Sequence, residues 1–184
     1  LEAVRAASDG GIVGLRISVD ELSHDGLQPD EAVAACREMA AAGLLDYVNV
    51  IAGSSATLAG SVHIVPPLTV EGGYTAPLAQ RVRDVVDVPV IVGGRIVEPQ
   101  LADRLIGAGH ADACAMTRAL ICDPDMPAKA ASGRLDEIRA CIGCNQACIG
   151  HFHAGYPISC IQHPETGREL RYGAVPPAAR RRRV

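Results

Sequence analysis

Short apolar strands alternate with amphipathic helices over the first two thirds of the chain, and this alternation limits the fold more than any other feature. The predicted strands are 11–20, 46–53, 88–95 and 111–120. Helical patterns follow the first three strands, and a short turn follows the fourth. Strands and helices joined in this order by short connections predict an α/β fold with a parallel sheet and right-handed crossovers.

Two architectures contain such a sheet: an open doubly wound sheet and a (β/α)8 TIM barrel. A whole barrel takes about 250 residues, whereas this chain has 184 residues and four predicted strands. It would therefore be the second half of a barrel. We assign residues 1–125 to this half, and interpret the first eight residues as the end of a helix that begins upstream.

The residues that follow the third and fourth strands favour the barrel. The third strand ends in Gly94-Arg95 and the fourth in Thr117-Arg118. In barrels the loops after the last two strands commonly bind phosphate, which glycine backbone and arginine side chains recognise. No strand is followed by G-x-G-x-x-G, which counts against a dinucleotide-binding sheet. The alternative is that both arginines pair with surface carboxylates.

Arg16 lies inside the otherwise apolar first strand, where we expect it to be buried. A buried guanidinium needs an anionic or strongly accepting partner. That partner would be either a carboxylate elsewhere in the fold or an anionic ligand at the mouth of the barrel.

Four of the seven cysteines form the pattern C-x2-C-x3-C-x11-C, at Cys141, Cys144, Cys148 and Cys160. A zinc site usually takes two separated C-x2-C pairs, and here the third cysteine follows too soon. Three close cysteines and a distant fourth favour a cubane iron–sulfur cluster, with zinc as the alternative and disulfides ranked below both. The other three cysteines stand alone in apolar patterns and are interpreted as core residues: Cys36, Cys114 and Cys122.

Composition excludes several functions. The net charge of −4 gives no general attraction to nucleic acid or anionic membranes, and RRRR at 180–183 is interpreted as a solvated tail or linker rather than a targeting patch. No apolar run approaches the roughly 18 residues of a membrane span. Residues 1–15 do not read as a signal peptide. Seven cysteines without a secretory signal indicate a reducing compartment, so we expect a cytoplasmic protein.

The run CIGCNQAC at 141–148, preceded by the Gly-Arg and Thr-Arg strand ends, resembles the Old Yellow Enzyme class of NADH:flavin oxidoreductases that carry an iron–sulfur cluster. The 2,4-dienoyl-CoA reductases and the trimethylamine dehydrogenases belong to this class. The resemblance extends from GLRIS at 14–18 to about Gly173. It implies an FMN-binding barrel, a cluster module at 126–173, and a linker at 174–184 that leads to a dinucleotide-binding domain.

The resemblance also implies roles for individual residues. Arg16 would lie near the electron-rich edge of the flavin ring and favour its reduced anion. The four cysteines of the motif would bind a 4Fe-4S cluster, and Gln146 would touch a second flavin. The FMN phosphate would be contacted by Gly94, Arg95, Thr117 and Arg118.

The implied reaction passes hydride between substrate and FMN, and single electrons between FMN and the cluster. The loop 54–73 lacks the His-Glu-Ala-Arg stretch of the dienoyl-CoA reductases, and the chain lacks the tryptophans of the trimethylamine dehydrogenases. The length of that loop favours an N-methylated amine as substrate, which a dehydrogenase or demethylase would oxidise. The x3 spacing favours the alternative, reduction of an enoate or 2,4-dienoyl-CoA with NAD(P)H. His63 could handle a proton, with a structural role as its alternative.

The resemblance is compatible with FAD or NAD(P)H bound in the dinucleotide-binding domain that would follow the linker. It is also compatible with an electron-transfer flavoprotein as partner and with a homo-oligomer. The segment by itself is expected to be inactive, because a half-barrel leaves its first and last strands as open edges. The alternative from another class is a non-enzymatic half-barrel with a structural zinc knuckle that serves as a binding module.

Overall fold

The computed structural model describes residues 1–173 and Arg180, so all of the predicted linker except Arg180 lies outside the described residues. Four parallel strands form one sheet in the order β1-β2-β3-β4. Their bounds are β1 Gly14–Asp20, β2 Tyr47–Ala52, β3 Val90–Val92 and β4 Ala113–Cys114. Because the strands are neighbours in chain order with no reversal, they correspond to consecutive strands of a barrel. The chain is therefore a partial (β/α) barrel.

Helices fill the connections and follow the last strand. Glu31 accepts a hydrogen bond from the backbone N of Gln28 at 3.1 Å, which caps the start of the longest helix. The helices are α1 Glu2–Ala7, α2 Pro29–Ala41, α3 Leu58–Ile64, α4 Ala76–Arg83, α5 Pro99–Gly107, α6 Thr117–Cys122, α7 Met126–Ala131, α8 His151–His153 and α9 Glu169–Tyr172. A 3-10 turn spans Leu135–Glu137, and a π-helical turn spans Gln146–Gly150.

One face of the sheet packs against helices and forms the core. Side chains at alternate positions of the strands are fully buried there, as period-two alternation requires. They pack against small residues of α2 and α4, which lets the helices approach the sheet closely. The fully buried members are Val19, Val48, Val50, Val90 and Val92 on the strands, and Ala32, Cys36, Ala79 and Val82 on the helices.

The other face of the sheet is the concave, inner face of the partial barrel. Arg16 of β1 pairs in register with Asn49 of β2, which pairs with Ile91 of β3. The Arg16 side chain is exposed, contrary to the burial we expected, and it makes no hydrogen bond or ion pair with another described residue. The reason is that four strands curve without closing, so this face is open to solvent.

The fourth strand differs from the prediction. Only Ala113 and Cys114 pair with β3, and the chain then turns so that α6 begins at Thr117. A short apolar run does not distinguish a strand from a buried helix by periodicity alone, which explains the error. The predicted loop 54–73 also contains α3.

No helix among residues 1–173 and Arg180 has the length and apolar composition that a bilayer span requires. The longest of them, α2, has 13 residues.

Candidate functional site

A cavity of about 360 Å³ lies at the carboxyl ends of the strands. In a barrel this end of the sheet carries the ligand site. Five of the predicted cofactor-binding residues line the cavity, although they come from β1, from the loop after β3 and from the start of α6. They are Arg16, Gly94, Arg95, Thr117 and Arg118.

Arg95 is held in an unusual backbone conformation at the rim of this cavity. Its φ of 51° lies in the left-handed region, which is uncommon for a residue other than glycine. One guanidinium nitrogen, Nη1, donates to the Val70 carbonyl at 2.7 Å. Nε is buried and has no hydrogen-bond partner among the described residues. A buried donor without a partner is costly, so this position is chemically matched to an anionic acceptor.

The backbone at Gly93 and Gly94, just before Arg95, packs closely against the side chain of Thr75. The buried hydroxyl of Thr75 donates to the Gly93 carbonyl at 3.2 Å. A Cβ atom on Gly94 would overlap that hydroxyl, so this position requires glycine. The backbone at Gly94 therefore packs tightly against Thr75, which helps to fix the position of Arg95 beside it.

Arg118 donates from Nη1 to the Pro66 carbonyl at 2.7 Å and to Asn145 Oδ1 at 2.6 Å. Burial lowers the pKa of its guanidinium, and negative charge on Cys141 and Cys148 opposes that shift. Neither Arg118 nor Arg95 makes an ion pair with a carboxylate among the described residues. The alternative that they serve surface ion pairs therefore has no support.

The four cysteines of the motif line a second cavity together. It is narrow, about 20 Å³, so the loops around it would have to widen to hold a group larger than a water molecule. The Sγ atom of Cys141 accepts a hydrogen bond from the Gly143 backbone N at 3.4 Å. Within residues 1–173, no three cysteine, histidine or carboxylate side chains lie close enough to share one metal ion. The donor set is all sulfur, which is the ligand type that iron–sulfur clusters take.

The two cavities share part of their lining. Arg118, Ile121 and Cys148 line both. Groups bound in the two cavities would therefore be separated by little more than one layer of side chains. We call residues 139–173, which carry the four cysteines, the cysteine segment.

Two predicted residues lie outside the large cavity. His63 does not line it, and its backbone carbonyl accepts a hydrogen bond from the Tyr74 hydroxyl. Gln146 is exposed at the start of the π-helical turn and lines neither cavity. The assignment of His63 to proton handling and that of Gln146 to a second flavin both stay predictions.

Three features of the site were missed by reasoning from the sequence. Asn145 is the acceptor for Arg118. Phe152 lines the large cavity while 64% exposed. Cys122 is a core residue as predicted, but it also lies beside Cys160, and burial together with that thiol raises the pKa of Cys122 to about 12. The run CIGCNQAC was the signal available for Asn145, which stands inside it.

The partial barrel and its arginine-lined cavity match a barrel class of protein that binds a phosphate-bearing ligand at the carboxyl ends of its strands. The match to the NADH:flavin oxidoreductase / NADH oxidase family covers residues 1–137, and the chain belongs to that family. Membership supports flavin-dependent redox chemistry. The alternative of a non-enzymatic binding module thereby loses its basis.

Similar proteins extend the match. The chain is 37% identical over 170 residues to the N,N-dimethylglycine/sarcosine dehydrogenase of Chromohalobacter salexigens, covering 92% of this chain and 24% of that one. It is 37% identical over 177 residues to a metal reductase of Desulforamulus reducens, covering 95% of this chain and 25% of that one. The structure of histamine dehydrogenase from Rhizobium sp. 4-9 superposes with a TM-score of 0.78 at 27% identity, covering 91% of this chain and 24% of that one.

The chain thus spans about a quarter of the length of these relatives. Alignments of 170 and 177 residues must also extend past residue 137, where the family match ends, into the cysteine segment.

Proposed function

We propose that this chain is the flavin- and cluster-binding part of an oxidoreductase that uses FMN and a 4Fe-4S cluster. The observation that carries the proposal is the shared wall between the arginine-lined cavity and the four thiols. When bound, FMN supplies two-electron chemistry and a 4Fe-4S cluster supplies one-electron transfer. A wall one side chain thick would let electrons pass between them.

The chain's own residues would bind and orient the flavin. The guanidinium groups of Arg95 and Arg118 supply positive charge at the cavity, which suits the phosphate of FMN. Arg16 supplies charge on the open inner face of the sheet. Apolar side chains, among them Ile51 and Val65, line the same cavity and would contact the apolar part of a bound flavin.

The four thiols would bind the cluster. Four thiols that line one cavity, three of them within eight residues of the chain, are the support for the cluster. The proposal keeps the reducing, cytoplasmic setting that the seven cysteines of the sequence indicate.

The favoured substrate is an N-methylated amine. The support is similarity to a relative named as an N,N-dimethylglycine/sarcosine dehydrogenase. Oxidation of the N-methyl group removes two electrons and one proton to give an iminium ion, and water then releases formaldehyde and the demethylated amine. Reduction of an enoate with NAD(P)H is the second candidate, supported by the x3 spacing between Cys144 and Cys148.

The first test is the metal and flavin content of the complete natural polypeptide, expressed without oxygen. We expect about one FMN, and about four irons and four acid-labile sulfides, per chain. Cys144→Ala should abolish iron and sulfide, whereas Cys36→Ala, in a core helix away from both cavities, should leave them unchanged. Zinc without sulfide would overturn the cluster.

The second test separates the two reactions. In one assay the protein is mixed with dimethylglycine or sarcosine and an artificial electron acceptor. In a parallel assay it is mixed with cinnamate and NADH. Formaldehyde release from the amines would support the demethylase. Consumption of NADH with cinnamate alone would overturn it in favour of the enoate reductase.

A further inference from the structure

Asn145 connects three segments that are distant in the sequence. Its side-chain nitrogen donates to the Val65 carbonyl at 2.7 Å, and its side-chain oxygen accepts from Arg118 Nη1 at 2.6 Å. Val65 follows α3, and Arg118 lies in α6. One short amide therefore fixes the cysteine segment to the loop after β2 and to the helix after β4.

The guanidinium held by this amide occupies the wall between the two cavities. Arg118 lines both of them and makes a further hydrogen bond to the Pro66 carbonyl. The thiols of Cys141 and Cys148 are close enough to act on its charge. No other arginine or lysine among the described residues lines both cavities.

The backbone at Asn145 is adapted to this arrangement. Its φ of 56° is left-handed, a conformation that asparagine adopts more readily than most residues. Its carbonyl accepts a hydrogen bond from the Gly150 backbone N at 2.8 Å, which closes the π-helical turn. Such turns recur at functional sites. The side chain thus leaves the turn toward Arg118 at a fixed angle.

We propose that Asn145 is a positioning residue that holds the Arg118 guanidinium between the flavin cavity and the thiols, so that one positive charge acts on both bound groups. This inference rests on the proposed function. A positive charge near a redox group favours its more negative, reduced state, because the electrostatic free energy of that state is lowered. Moving the guanidinium should therefore lower the cluster potential and weaken flavin binding together.

The test uses three variants in the complete natural polypeptide. Asn145→Gly keeps the left-handed backbone accessible and removes both side-chain hydrogen bonds. Asn145→Asp keeps an acceptor for Arg118 and loses the donor to Val65. Leu170→Ala changes a fully exposed residue of the same segment that lines neither cavity, and serves as the control.

Two quantities are measured: the midpoint potential of the cluster, by anaerobic titration followed by electron paramagnetic resonance, and the dissociation constant for FMN in flavin-free protein that retains its cluster. For Asn145→Gly we expect a lower potential and FMN binding weakened by about tenfold, the loss of one charge-assisted contact. For Asn145→Asp we expect FMN binding within about twofold of the unsubstituted protein, because the acceptor remains. The control should change neither quantity.

A double-mutant cycle shows whether Asn145 acts through Arg118. In an Arg118→Gln background, Asn145→Gly should have no further effect on FMN binding, and an additive effect would overturn the proposal. An Asn145→Gly protein that loses iron while its FMN affinity is unchanged would also overturn the proposal. Asn145 would then act only in the structure of the cysteine loop. Iron, sulfide and FMN in the unsubstituted protein decide the proposed function separately.

Discussion

The β-α region, residues 1–125, and the cysteine segment, residues 139–173, are stabilised by different interactions. In the β-α region the strands bury a continuous apolar face against α2 and α4. Among the described residues the cysteine segment contributes no side chain to the buried apolar core. Its two buried polar residues are Ser159 and Thr166.

Polar contacts attach the cysteine segment to the rest of the chain. Thr166 donates to the Ile121 carbonyl at 3.0 Å, and Gln162 Nε2 donates to the Cys122 Sγ atom at 3.6 Å. The carboxylate of Asp123 accepts from the Arg139 backbone N at 2.9 Å. A region without apolar burial has low local stability, so a bound cluster would contribute much of the order of this segment.

The largest effect should come from a charge in the apolar region. Ala79 and Gln80 are neighbours on α4, but the first is fully buried and the second is exposed. Ala79→Asp should lower the free energy of unfolding by about 4 kcal/mol or more, because it buries an unpaired carboxylate. Gln80→Asp should change it by less than about 0.5 kcal/mol. Urea denaturation measures both, and equal effects would contradict the assigned core.

The next effect concerns the buried ion pair at the base of the cysteine segment. Asp123 is buried, and Lys129 Nζ donates to its carboxylate at 2.6 Å. Asp123→Ala should cost about 3 kcal/mol, since it leaves the Lys129 ammonium and the Arg139 amide without their acceptor. Asp125→Ala, at an exposed position, is the control. If the urea midpoints of the two variants coincide, the contacts of Asp123 with Lys129 and Arg139 do not stabilise the protein.

The same carboxylate predicts a pH dependence. Burial alone would raise the pKa of Asp123, but hydrogen bonds from Lys129, Arg139 and Asp125 outweigh it and the pKa is lowered. Its contribution to stability is therefore complete above the unfolded pKa of about 3.9 and is lost as the pH falls through the lower folded pKa. The stability difference between the unsubstituted protein and Asp123→Asn should shrink across this acid range. A stability difference that grows on acidification would contradict a lowered pKa of Asp123 in the folded protein.

Removal of the cluster should separate the two regions. We expect an iron chelator to speed amide hydrogen exchange at 141–160 by about tenfold or more, with β2 and β3 unchanged. The reason is that apolar burial holds the strands without the metal. Mass spectrometry of peptides from the two regions measures the contrast. Equal acceleration in both would mean that they unfold as one unit.

The smallest effect should come from a polar contact inside the β-α region. Asp112 accepts from the Val90 backbone N at 2.8 Å and from Arg83 Nε at 3.1 Å, and its side chain is partly exposed. Asp112→Ala should cost less than about 1 kcal/mol, because solvent screens the pair and the apolar core holds β3 in place. A loss as large as that of Asp123→Ala would remove the contrast between the regions.

Local signals predicted much of this molecule. The order of strands and helices, their parallel arrangement and the grouping of the four cysteines all follow from periodicity and spacing along short stretches. The error at 111–120 has the same origin, because four or five apolar residues fit a strand and a helix equally well. The exposure of Arg16 depends on whether the sheet closes into a barrel, and closure cannot be predicted from a short stretch of sequence.

The sequence by itself determined which chemical groups are present and near which strand ends they lie, since residue type and hydrophobic period are local properties. The tertiary structure decided which of them meet. Arg118 is 52 residues from Pro66, and Asn145 is 80 residues from Val65, yet they are joined by hydrogen bonds of 2.7 Å. Contacts over such separations depend on how the sheet curves and where the cysteine segment docks. For this reason the wall shared by the two cavities is a property of the fold.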